Sequence, residues 1–160
     1  MTADELRALW DAGKHDDHLR EAKALALREP ENVHAQLEAA FGHDRAGLER
    51  EALRYYERVS ELGVPADRRR PFLVGYGSTL RNVGRADDAV AVLAQAIDDD
   101  PTYAPFTAFL ALALADAGHL KAALATMLGC ALDVAPPGAF DGYGRALGEY
   151  HRRLLEPTPS

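Results

Sequence analysis

Between Arg70 and Tyr103 the chain reads RPFLVGYGSTLRNVGRADDAVAVLAQAIDDDPTY, and this stretch decides the fold. Leu73, Tyr76, Gly77 and Leu80 recur at helical spacing, Gly84 interrupts them, and Ala89, Leu93 and Ala96 resume the pattern until Pro101. Glycine can take the left-handed conformation that closes a helix, whereas proline ends a helix or opens the next. The stretch therefore reads helix, glycine turn, helix, proline turn.

The same punctuation recurs along the chain. Gly13, Gly47, Gly84 and Gly118 are separated by 34, 37 and 34 residues, and Pro30, Pro65, Pro101 and Pro136 by 35, 36 and 35. Two residue types with opposite structural uses share one period, which is the mark of stacked repeats. The longer interval is absorbed by the Val64 to Arg70 connection. All nine prolines fall in predicted connections, first turns or the tail.

The stretch from Arg70 resembles the tetratricopeptide repeat family, whose unit of about 34 residues alternates large, small and aromatic positions on two antiparallel helices. The second unit keeps Ala40, Gly47, Ala52, Tyr56 and Val59, and the fourth keeps Leu110, Ala111, Leu114, Gly118, Ala123 and Met127. In the fourth unit the run Gly129-Cys130-Ala131 is one residue long before Pro136, leaving the register of its last turn open. The first unit is degenerate: Leu6, Leu9, Gly13, Ala22, Leu25 and Pro30 are in register, but His18 stands where a small residue would pack, which predicts a looser outer face.

The resemblance implies an all-α, right-handed superhelical stack of about nine helices in a single domain. Its repeats are expected at about 1–32, 33–69, 70–103 and 104–136, followed by a capping helix over 138–155 with Phe140, Tyr143, Gly144 and Leu147 at first-helix positions, and a flexible tail over 156–160. Small residues at Gly77, Gly144, Ala40 and Ala111 are expected to admit the paired helix, and Ala52, Ala89 and Ala123 the large residues of the preceding one.

Composition agrees. Nearly half the 160 residues are apolar and 27% are charged, as in a soluble globular unit, and the single Cys130 excludes a disulfide framework or thiolate cluster within the chain and reads as a buried structural thiol. A net charge of −7 argues against nucleic-acid binding. Arg68-Arg69-Arg70 and Asp98 to Asp100 read as solvated connections. Met1 to Trp10 lacks the pattern of a signal peptide, and the apolar run Phe106 to Ala115 is too short to span a bilayer. A cytoplasmic protein without membrane partners is the expectation.

Little of the sequence asks for catalysis or a cofactor. His15-Asp16-Asp17-His18 has the spacing of a metal site, but capping of a second helix explains its acids, and the remaining histidines are scattered. A histidine-based metal sensor or enzyme stands as the rival from another class, and an accessory domain in transcriptional regulation is compatible with the fold but has no DNA-reading element.

In the family the first helices of successive units line a concave groove that holds a peptide or partner helix. The resemblance maps that groove to Leu37, Phe41, Asp44 and Arg45, then Val74, Ser78, Arg81 and Asn82, then Leu112 and Asp116, then Arg145. The lysines and asparagines of the chaperone-tail clamp are absent from these positions. The surface suits an amphipathic helix or an apolar segment of an unidentified protein, fixed by Arg81, Asn82 and Arg45. Self-association through Leu6, Leu9 and Trp10 at the open first unit, giving a homodimer, is the second binding expectation.

Overall fold

The computed structural model describes residues 1–158; Pro159 and Ser160, the end of the expected tail, lie outside the described residues. Among the described residues there are nine α-helices and no strand: α1 (Ala3–Asp11), α2 (His15–Arg28), α3 (Val33–Arg45), α4 (Glu49–Leu62), α5 (Arg69–Asn82), α6 (Ala86–Asp99), α7 (Ala104–Asp116), α8 (Leu120–Val134) and α9 (Gly144–Leu155), with one 3-10 turn at Ala66–Arg68.

The marker glycines sit where the period puts them. Gly13, Gly47, Gly84 and Gly118 each follow the end of a first helix by two residues and have φ of +72° to +88°. At the end of α1 the Lys14 N–H reaches the Leu9 carbonyl and the Gly13 N–H reaches the Trp10 carbonyl, both at 2.9 Å. That nested pair satisfies carbonyls the helix leaves open, and it needs a left-handed residue between them. The same pair closes α3 and α7. Pro71 and Pro105 lie in the first turns of α5 and α7, where the missing N–H has no helical partner to lose.

Two compact units are present, Met1–Val83 and the residues from Gly84 onward. The division falls in the turn between α5 and α6, so the third sequence unit gives one helix to each. In the first unit α3 is central, packed by α1, α2, α4 and α5, and its residues 35–40 are all buried. Leu6, Ala22, Leu25, Ala26, Ala35 and Ala39 form one apolar cluster, and Leu37, Ala40, Ala52, Tyr56, Val59 and Phe72 form another. In the second unit α7 packs against both α6 and α8, and α9 against α8. Its buried positions are mostly alanine: Ala89, Ala96, Ala111, Ala113, Ala123 and Ala125, with Leu93, Phe106 and Cys130. Small side chains allow helix axes to approach to about 8 Å.

Several expectations give way to local geometry. The last helix begins at Gly144 rather than 138, because Gly138, Asp141 and Gly142 all have positive φ and coil the chain through a turn. Phe140 and Tyr143 therefore precede the helix, and Gly144 has no atom within 4 Å of where a Cβ would stand. Gly77 is buried on α5, and a further close approach on that helix is at Gly75, where a Cβ would lie 2.2 Å from the Tyr56 hydroxyl. The extra residue near Cys130 is accommodated in a regular α8 of 15 residues, against 14 in α2, α4 and α6. Met127, expected to pack inward, faces outward. Asp16 and Asp17 lie in the first turn of α2 and face its positive dipole end, but no side chain caps that helix.

His18 does not loosen the first unit. It is fully buried, its ring edge-on to Trp10 at 5.0 Å, and the volume it takes is offset across the helix pair by Gly42, where a Cβ would lie 3.2 Å from the His18 Nδ1. A large residue has entered a small position and a glycine has answered it.

Candidate partner-binding site

In the first unit α1, α3 and the start of α5 border an open cleft of about 410 Å³ lined by Arg7, Trp10, Asp11, Glu38, Phe41, Arg68 and Pro71. Each wall has a local reason. Trp10 lies on the last turn of α1, wedged edge-on against His15 and His18. Phe41 lies on α3, edge-on to the buried Tyr56 at 6.0 Å. The Arg68 guanidinium, at the end of the 3-10 turn, lies over the Phe41 ring at 5.2 Å, and that of Arg45 lies over Trp10 at 5.6 Å. Flat cations on aromatic faces are held by the ring quadrupole while their in-plane N–H groups can still hydrogen-bond.

Glu38 ties these walls together. A buried carboxylate is costly unless it is paired, and Glu38 draws partners from three other elements. Its Oε1 accepts a hydrogen bond from the Arg7 Nε at 3.3 Å and forms an ion pair with the Arg68 Nη2 at 3.1 Å, while its Oε2 lies 3.0 Å from the His18 Nε2. Burial alone would push the carboxyl up; the His18 hydrogen bond, the Arg68 and His18 charges and the Arg7 hydrogen bond outweigh it and hold Glu38 below the usual carboxylate range.

A second polar pair joins α3 and α4, with Tyr56 buried and Asp44 partly buried. The Tyr56 hydroxyl donates to the Asp44 carboxylate at 2.9 Å. Burial raises Asp44 above its ordinary value, against the pull of that hydrogen bond, and burial beside the Asp44 charge raises Tyr56 as well.

The groove positions inferred from the family separate under this geometry. Phe41 lines the cleft and Arg45 reaches it through Trp10. Leu37 is fully buried in the core, because α3 is covered on all sides at that point. Asp44 is partly buried and committed to Tyr56. Val74 and Ser78 are half-buried on α5, on the helix face that Pro71 begins, and Arg81 is half-buried near the end of that helix. Asn82 is exposed and donates to the Glu49 carboxylate at 3.0 Å. In the second unit Leu112, Asp116 and Arg145 are all exposed. Leu6, expected on an apolar open end, is fully buried, and Leu9 packs against its cluster. Arg68, read as solvated, is one of the more enclosed arginines of the chain.

Arg7, Glu38 and Arg68 escaped the sequence reading. The available signal was Glu38 itself, a charge in the run Ala35 to Ala40 on a face shared with Ala35 and Gly42. Among the described residues no three His, Cys, Asp or Glu side chains gather where they could hold a metal, and no helix is long and apolar enough to cross a membrane.

A family model described as Tetratrico peptide repeat matches residues 33–154. No curated protein matches the sequence. Among solved structures, the chain is similar to MamA at 18% identity, over 95% of this chain and 85% of that one, with a TM-score of 0.68. A single-site mutant of MamA gives 17% identity over 80% and 73% of the two chains, at the same TM-score. At these identities the likeness is one of fold.

Proposed function

Because the chain belongs to the tetratricopeptide repeat family, we propose that it is a non-catalytic adaptor whose first unit holds a segment of a partner protein in the cleft between Trp10, Phe41 and Pro71. Family and fold together support an interaction scaffold in general. The cleft supplies the finer reading.

One observation carries it: Glu38 anchors Arg7 and Arg68 from different elements, so the aromatic walls are fixed before any partner arrives. Preorganised walls spare a ligand the ordering cost that mobile side chains impose. Trp10, Phe41 and Pro71 offer apolar contact, and Arg45 and Asp11 border it with charge. An amphipathic helix or an extended segment with an apolar anchor residue fits this arrangement. Phe41 is shared by the family mapping and the cleft lining, and Arg45, which lies over Trp10 beside the cleft, is a better fixing point than Arg81.

The test is selection of peptides from a displayed library against the full chain, read by the emission of Trp10, the one tryptophan present. Selected peptides are expected to shift that emission and to bind at least about tenfold more weakly to Arg45→Glu and Pro71→Asp, a loss of about 1.4 kcal/mol or more. Both positions are exposed, so the fold is retained. Peptides that bind both variants as well as the parent would remove the cleft from consideration.

A further inference from the structure

Second helices of a repeat normally turn charge to water. On α4 the exposed positions include Glu51, Arg54 and Glu61. α8 is different: of its 15 residues only Lys121 and Asp133 are charged. Leu120, Leu124 and Val134 are 69%, 57% and 59% exposed, and Met127 is 37% exposed. With Ala131 they recur at intervals of four, three, four and three, which is the spacing of a seam between two helices rather than of a solvated face. Leu155, 64% exposed on α9, extends the surface, since it and Leu120 line one cleft of about 590 Å³ where the Lys121 Nζ donates to the Glu156 carbonyl at 2.8 Å.

We propose that this face is the docking surface for a second copy of the same chain, with the two α8 helices antiparallel across a two-fold axis. The area is of the right size. At roughly 150–200 Å² for each whole residue the exposed parts of Leu120, Leu124, Met127, Val134 and Leu155 amount to about 500 Å². A standard interface takes about 800 Å² from each partner, and in homodimers about 65% of it is apolar, which again is about 500 Å².

The sequence of the stripe is also self-complementary. In one antiparallel register Leu120 of one copy meets Ala131 of the other and Leu124 meets Met127, so large side chains face small or flexible ones in these layers, with Val134 at the rim. This inference does not rest on the cleft in the first unit.

Sedimentation velocity of the full chain, from low to high micromolar concentration, tests it. The expected result is a reversible rise from the 17.4 kDa of one chain to twice that mass. Leu124→Glu should hold the mass at one chain, with unchanged helicity and melting because the side chain is exposed in the monomer. Leu27→Glu, at a still more exposed leucine on α2, and Arg45→Glu should leave the dimer intact. A parent chain that stays at one-chain mass at every concentration overturns the proposal; if that monomer floats with liposomes, the face belongs to lipid. A dimer that survives both Leu124→Glu and Met127→Lys also overturns it, by placing the contact elsewhere.

Discussion

Replacing Gly75 by alanine adds one methyl group and should destabilise the first unit. The new Cβ would stand 2.2 Å from the Tyr56 hydroxyl oxygen and 2.8 Å from the ring carbon that bears it. Tyr56 is fully buried, flanked by Phe41, Phe72 and Tyr76, and fixed by its hydrogen bond to Asp44. It cannot yield an ångström without leaving that partner. Overpacking of this kind costs about 1–3 kcal/mol, and losing a hydrogen bond to a charged group costs about 1.5–3 kcal/mol. The gain in helix propensity from glycine to alanine returns about 1 kcal/mol. The balance is a loss of roughly 1.5–5 kcal/mol. Gly148 on α9 supplies the control, since nothing lies within 4 Å of its would-be Cβ and the same change there should stabilise by about 0.5–1 kcal/mol. Urea unfolding followed by circular dichroism measures both. Two alanines with opposite signs are expected, and Tyr56→Phe in the Gly75→Ala background should relieve part of the strain. A Gly75→Ala protein as stable as the parent would refute the packing argument.

Glu38 makes an acid-dependent contribution: its folded value lies below the unfolded one, so the stabilisation is present above the usual carboxylate range and is lost as pH falls through the folded value. Glu38→Gln should flatten the decline of melting temperature in that acid window while lowering stability at neutral pH, and an unchanged acid profile would show that the carboxylate is not the source. Ala89 is fully buried on α6, and Ala89→Trp should cost about 1–3 kcal/mol or more in a thermal melt. Gly47→Ala meets no atom within 4 Å but must hold φ near +72°, so its cost should be the left-handed strain alone, about 1–2 kcal/mol in urea unfolding, and a neutral result would contradict the turn geometry.

The architecture was legible because glycine and proline act locally. A helix end needs a left-handed residue whatever surrounds it, so Gly13, Gly47, Gly84 and Gly118 could be placed from spacing alone. The start of α9 was misplaced because Gly138, Asp141 and Gly142 form an irregular coil inside a pattern that continued to look helical. The site was less legible, since burial of Leu37 and exposure of Met127 depend on how many helices cover a given face, which a repeat pattern borrowed from other chains does not state. His18 and Gly42 compensate each other from 24 positions apart, and a family template that expects a small residue at one of them has no means of seeing the other.

Three helices and a turn hold one carboxylate in common at Glu38, and the groups that hold it also shape the cleft. Altering the cleft through Arg7 or Arg68 would strand a negative charge indoors, whereas Arg45 and Pro71 can be changed without touching the anchor. If the cleft holds a partner as proposed, variation toward new ones should run along the rim, while the floor is kept by a folding constraint independent of what is bound.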